Sequence, residues 1–469
     1  MGTRPMESSG ARQGAWRTPP VPPGQLRAAS DPMRLLLFLL TLVTISRVHD
    51  AFPALSRLHP GLVLTMMVAA YALVNRQTLR AKGLLGPWMP RLMLGMLVFA
   101  CIGAPFGISL GSSGLFILDS YAKTMVFVFL LLAAVRDVRD LYAFVWAIVV
   151  SSALIVVASL FMYQTREYGD YARLANMGSY DANDIGCVLM VGLCFTMLIY
   201  QVTTGWKKLL SALILLGIGA TIARTGSRGT LVALVVVGSA LLVLSKNVSV
   251  LKRVAFVAVL VMGIAVASPQ GYWQQMSTVL NPTEDYNWNS RDGRRQLAER
   301  GLGYMLDRPI FGLGIHNFGK AECTISEKAM NSLGGAGVRC MAPHNSAVQA
   351  GAELGVPGLF MWIGLLAGGI VAMFRLRKRI PKAWIRGTRE EYFLALAPMY
   401  FGLAMVGFTV TSLFVSFAWL DLVYALAALM GGLQFVVTAR MGNRAEMTAG
   451  MARPTSMSVG ALRASRIMS

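Results

Sequence analysis

Long uninterrupted apolar blocks separated by short polar segments dominate the pattern of this chain. The blocks run roughly 15–23 residues, the length a helix needs to cross about 30 Å of hydrocarbon. They fall at about 33–45, 61–75, 92–109, 114–134, 141–162, 184–202, 209–223, 230–244, 254–267, 356–374, 391–411 and 414–437, the first being short. This pattern predicts an all-α polytopic membrane protein of about twelve spans, with one large polar loop, 268–355, before the tenth. A transmembrane barrel would show ten-residue segments of alternating character instead, and none is visible.

Composition agrees. Of the 469 residues 55% are hydrophobic and 14% charged, with a mean hydropathy of +0.57. A soluble chain carries about a quarter charged residues. The net charge of +21 invites a nucleic-acid partner, but the lysines and arginines fall between apolar blocks and no nucleic-acid-binding module is present. Membrane lipids are expected as partners, and nucleic acid is not.

With the N-terminus in the cytoplasm, the cytoplasmic segments hold 28 of the 43 lysines and arginines, as the positive-inside bias requires. The short outer loops then hold only Arg47, Arg57, Arg166, Arg173, Arg224 and Arg228. All four histidines, His49, His59, His316 and His344, face outward, which excludes cytosolic nucleotide chemistry. Residues 1–32 and 438–469 are expected to be disordered cytoplasmic tails flanking a membrane domain at 33–437. Met33 is an alternative start, and no cleavable signal is evident.

Several polar residues stand where the bias disfavours them. Arg166 and Arg173 lie in one outer loop, and Arg224 and Arg228 in ARTGSRGT (223–230). A guanidinium in a dry cleft suits a phosphate or pyrophosphate, which it grips with two parallel hydrogen bonds. The competing role is a solvated or headgroup anchor, which weighs equally for Arg166 and Arg224. Asp181 and Asp184 are read as a cap of the sixth span. Asp119 and Lys123, four apart, are read as a self-neutralising pair. Asp421, inside the last span, has no partner in the pattern.

Cys101, Cys187 and Cys194 lie inside apolar blocks and are read as ordinary buried residues. Cys323 and Cys340 share the outer loop and are expected to bridge in an oxidising compartment. Gly314–Lys320 has the spacing of a phosphate-binding loop, but Ala321 stands where a hydroxyl must hold magnesium. No D-x-D, H-E-x-x-H or C-x-x-C metal pattern occurs, so no metal or other cofactor is expected. Tyr272, Trp273, Tyr286 and Trp288 suit either sugar stacking or an interfacial belt, the belt being the commoner use.

The stretch MAPHNSAVQAGAELGVPG (341–358) closes the long loop. After His344, NSAVQAGAEL reads as a short helix capped by Asn345 or Ser346. A histidine there feels the positive end of the helix dipole, which favours the neutral, proton-accepting imidazole. Gly355, Pro357 and Gly358 then make the turn into the tenth span. By itself a lone histidine is most simply a satisfied interfacial residue. The spacing of His344, Asn345, Gly355 and Gly358 changes that weight. It resembles the H-[NSQ]-x9-G-x-x-[GTY] signature of the O-antigen ligase and polymerase superfamily. His316-Asn317 does not fit, because the same count lands on Glu327.

SRGTLVAL (227–234) is similar to that family's Ser-Arg-Gly segment, and DRPIFGLGIHNF (307–318) to its segment before the histidine. The resemblance covers about residues 90–435 in outline, with its motifs inside 173–358. It implies a glycosyltransferase that moves a glycan from undecaprenyl diphosphate to an acceptor hydroxyl, on another glycan or on lipid A-core. The reaction would invert configuration at the periplasmic face of the inner membrane, without metal or nucleotide. It implies His344 as the base or the group orienting the acceptor, supported by Asn345, Gly355 and Gly358. Arg228 and Arg173, with Arg224, would hold the pyrophosphate, Arg166 being the alternative to Arg173. A ligase and a repeat-unit polymerase of O-antigen or exopolysaccharide share this chemistry, and the sequence does not separate them. A transporter or flippase would need midplane polar sites and internal repeats, whereas the polar singularities here gather at the outer surface.

Overall fold

The computed structural model describes residues 31–80, 84–168, 171–244, 249–281, 293–332 and 338–452. Most of the expected N-terminal tail, the end of the C-terminal one, and Tyr286 and Trp288 lie outside the described residues.

Apolar helices occupy the expected blocks. They are α1 (Pro32–Ser46), α2 (Pro60–Val74), α3 (Trp88–Gly103), α4 (Leu110–Ala134), α5 (Val138–Phe161), α6 (Ala182–Val202), α7 (Trp206–Thr225), α8 (Arg228–Leu244) and α9 (Val250–Ala267). The long loop carries α10 (Arg294–Asp307) and α11 (Phe318–Thr324), and α12 (Ser346–Arg379), α13 (Arg389–Ser412) and α14 (Asp421–Ala452) follow. Among the described residues eight helices, α3 to α7 and α12 to α14, are long and apolar enough to cross a membrane, while α1, α2 and α8 are shorter. The architecture is that of an all-α polytopic membrane protein, with eight helices of spanning length among the described residues against about twelve spans expected.

One element was not foreseen. Strands β1 (Thr165–Tyr168) and β2 (Tyr171–Leu174) form an antiparallel hairpin between α5 and α6. Four-residue strands are too short to show a period of two.

Helix α6 is the centre of the packing, with nearly every side chain from Ile185 to Ile199 buried. Small residues let its neighbours approach, as they do where helices cannot rely on water to drive them together. A Cβ on Gly192 would lie 2.0 Å from Ser152 Oγ, and one on Gly407 of α13 would lie 2.9 Å from Met190. Peripheral helices leave large apolar side chains exposed, among them Leu73, Val74, Leu115, Leu118 and Val266, a surface suited to lipid.

The connections gather at two ends. At one, Arg34 and Arg136 both bond the buried Asp140, at 2.7 and 2.9 Å, and Arg136 also reaches Asp31. A buried carboxylate is tolerable only when so paired. At the other end Asp50 meets Ser179, Ser113 meets Ile315, Arg228 meets Thr278 and His344 meets Ser416.

Four expectations change. The last span does not begin at 414, because the chain is irregular over 413–420 and α14 starts at Asp421. Asp421 therefore sits at a helix start. It accepts a hydrogen bond from Thr124 and lies 3.7 Å from Arg47, which supplies the missing partner. Helix α14 also continues past residue 437, where a disordered tail was expected to begin. Cys101 is exposed on α3, unlike the buried Cys187 and Cys194. Lys123 does pair with Asp119, at 2.7 Å.

Candidate functional site

The site is built on a broken helix. Helix α12 is two helices joined at Gly355, whose backbone (φ 67°, ψ −169°) is non-helical. Only glycine adopts this region readily. There is also no room for a side chain, since a Cβ would lie 2.5 Å from Pro309 O and 2.6 Å from Ile310 O. Val356 N–H donates to Pro309 O and Leu313 N–H to Ala352 O, both at 2.8 Å, so the break is where the segment 307–318 docks.

The short helix 346–354 is capped by Asn345, whose side chain accepts from the amides of Ala347 (3.0 Å) and Val348 (3.1 Å). Ser346, Gln349 and Glu353 share one face by their spacing. That face binds the irregular segment 413–420 step by step. Ser346 Oγ donates to Val415 O and accepts from Phe417 N–H, both at 2.8 Å. Gln349 Oε1 accepts from Ala418 N–H at 3.1 Å. Glu353 accepts from Trp419 Nε1 at 2.6 Å, and from the amides of His316 (2.7 Å) and Phe318 (3.2 Å).

His344 precedes the cap in a left-handed conformation, φ 49°. This is a conformation a histidine seldom adopts and one that costs strain. Its amide is held by Ser416 Oγ at 2.9 Å. Burial is the largest cause that lowers the proton affinity of its imidazole below the usual histidine range; Arg294 and Arg173 add to this and Asp181 opposes it. The helix dipole predicted the same direction, but desolvation and two guanidiniums are the main causes. His344 is therefore neutral at pH 7 and able to accept a proton.

The arginines reach this end on separate elements. Gly226 ends α7 with a positive φ, Ser227 accepts from Thr230, and Arg228 opens α8 with its guanidinium on Thr278 Oγ1 at 2.7 Å. Gly229 leaves space for the Phe414 ring, which a Cβ would meet at 2.5 Å. Arg173 lies on β2 directly opposite Arg166 on β1. Cross-strand partners leave the sheet on the same face, and like charges there repel unless something anionic intervenes. The Cβ of Arg173 lies 3.4 Å from the position a Gly226 Cβ would take, which brings β2 against the Ser-Arg-Gly turn.

Arg294, at the start of α10, lies with its guanidinium 6.0 Å from the Phe414 ring centroid. Neither Arg294 nor Phe414 and Ser416 was singled out from the sequence. The balanced charges of the long loop hid the first, and the apolar run hid the others. The polar face of 346–354 was readable in its i, i+3, i+7 spacing.

Arg224 goes elsewhere. Its guanidinium donates to the carbonyls of Ser159 and, at 2.9 Å, Tyr163, satisfying the C-terminal end of α5. Asp181 and Asp184 form a reciprocal capping box at the start of α6, as their spacing suggested.

A cavity of about 1010 Å³ borders the His344 turn, with Ala342, Pro343 and Ser416 in its wall. The disulfide between Cys323 and Cys340 also borders it and ties the approach to His344 onto α11. Among the described residues no three His, Cys, Asp or Glu side chains converge as a metal site would need.

No curated protein sequence matches the chain. A family model described as O-Antigen ligase does match, over residues 210–363. The matched stretch runs from α7 through the Ser-Arg-Gly turn and the long loop to the Gly355 break, so over this part the chain is similar to the O-antigen ligase family.

Proposed function

We propose that the chain is a glycosyltransferase of the O-antigen ligase type, working at the periplasmic face of the inner membrane. It would transfer a glycan from undecaprenyl diphosphate to an acceptor hydroxyl on lipid A-core or another glycan. The observation that carries this reading is a neutral imidazole on His344, whose backbone amide donates to Ser416 in a strained turn beside Arg173 and Arg294.

The acceptor oxygen attacks the anomeric carbon while its proton passes to the His344 imidazole. The bond from that carbon to the pyrophosphate oxygen breaks, and its electron pair leaves with the pyrophosphate. Attack opposite the leaving group inverts the anomeric configuration. Arg173, Arg228 and Arg294 neutralise the departing charge, with Arg166 beside Arg173 on the hairpin face. This assigns charge neutralisation to guanidiniums, so a chelator should leave transfer intact. Arg224 is outside this group because backbone carbonyls engage it.

The test is a glycan profile of a strain lacking the protein. A ligase leaves complete lipid-borne chains that are not joined to their acceptor. Accumulation of single repeat units would instead assign the same chemistry to a polymerase, and an unchanged profile would refute both.

A further inference from the structure

The arginines account for the donor's pyrophosphate, but not for the cavity beside the 342–344 turn, which Arg173, Arg228 and Arg294 do not line. Its charged walls are largely matched: Asp421 lies 3.7 Å from Arg47, and Lys123 bonds Asp119 at 2.7 Å. Lys320 is turned onto Ser109 Oγ at 2.8 Å, and the Glu353 carboxylate is occupied by Trp419 and two backbone amides. Of the arginines, Arg47 lines the cavity, and it faces the Asp421 carboxylate.

His316 is the distinctive wall residue. Its ring lies flat against Phe116, centroids 4.3 Å apart and planes within 5°. Its backbone is in the left-handed region at φ 63°, and its amide is clamped by Glu353 at 2.7 Å. The ring is thus fixed from behind and exposed towards the cavity, and among the described residues no protein group bonds its nitrogens. Burial lowers its proton affinity, leaving one ring nitrogen a donor and the other an acceptor. A sugar hydroxyl needs that complement, because it both donates and accepts. A phosphate needs donors only.

We infer that this cavity is a subsite for an uncharged sugar unit of the acceptor, with His316 hydrogen-bonded to one of its hydroxyls. The inference rests on the transfer reading above for the word acceptor. Ala342, Pro343 and Ser416 are shared between the cavity wall and the His344 turn. A sugar seated there lies against the turn that carries His344, which brings its reacting hydroxyl towards the base. His316 lies outside the family's histidine spacing and acts in binding only.

The experiment uses the full-length protein in nanodiscs and two probes. One is the neutral oligosaccharide fraction released by mild acid from the producing cell's own glycan. The other is farnesyl diphosphate, a short polyprenyl diphosphate. Diethyl pyrocarbonate labelling of each histidine is followed by mass spectrometry. The oligosaccharides should slow labelling of His316, and farnesyl diphosphate should not. Protection by farnesyl diphosphate instead, or by neither probe, overturns the subsite.

In transfer kinetics His316→Phe keeps the stacking ring but loses both nitrogens. Losing one hydrogen-bond partner of this kind should raise the acceptor KM about tenfold. The donor KM and kcat should stay near wild type, and His316→Gln should restore part of the loss. An unchanged acceptor KM in a folded His316→Phe protein counts against the assignment. If wild-type protein transfers nothing while oligosaccharides still protect His316, the transfer reading fails and the sugar site stands.

Discussion

Replacing Gly355 by alanine should damage the protein at the joint that positions both histidines. Two costs add. Alanine at φ 67°, ψ −169° occupies a region almost reserved for glycine, which costs about 1–3 kcal/mol. Its Cβ would also lie 2.5 Å from Pro309 O, 2.6 Å from Ile310 O and 2.8 Å from Ile310 C. These are backbone atoms that cannot rotate away, and overpacking of this kind costs about 1–3 kcal/mol more. Pro309 O is also the acceptor for Val356 N–H, so relieving the clash lengthens that hydrogen bond. The sum, roughly 2–6 kcal/mol, is large against the marginal stability of folded chains.

Thermal unfolding of the purified protein in detergent measures the first effect, and glycan transfer the second. Gly303→Ala is the control: it lies in α10 with nothing within 4 Å of its Cβ position. Alanine there should be neutral or stabilising by about 0.5–1 kcal/mol. A Gly355→Ala protein that unfolds at the wild-type temperature with wild-type transfer would show that the break is not what holds the site.

Other expectations follow from the same geometry. His344→Ala should lower transfer by about 10²–10⁴-fold with unchanged unfolding, and near-normal transfer would remove it as the base. Because its proton affinity is lowered, kcat/KM should fall only as pH drops below about 6.5, when the imidazole takes a proton. An acid limb centred above pH 7 contradicts this. Arg228→Lys should transfer poorly although it keeps the charge, since ammonium lacks the planar fork; full activity would reduce Arg228 to a general electrostatic contributor. Cys340→Ser should lower transfer more than protein level, because the bridge fixes the approach to His344 rather than the helix bundle. Equal losses in both would place its role in folding.

Hydropathy and spacing alone marked out the helical blocks, and the short helix after His344 with its break at Gly355. Both properties are local: an apolar run has one economical state in lipid, a hydrogen-bonded helix, and Gly355 stands where its own backbone leaves the helix. The family spacing around His344 was legible for the same reason. The surroundings of the imidazole were not. Residues 413–420 read as the start of a span, yet Ser346, Gln349 and Glu353 hold them irregular through hydrogen bonds from about 65 to 70 positions away in the chain. That contact places Ser416 under His344 and puts Asp421 at a helix start beside Arg47. The choice among arginines was likewise tertiary. Arg224 and Arg228 are four apart, but one turns to carbonyls of α5 and the other to Thr278. Arg294 reaches Phe414 from a loop whose charges cancel in sequence. Which way a long side chain turns depends on the groups folding brings within its reach, and local pattern carries no record of them.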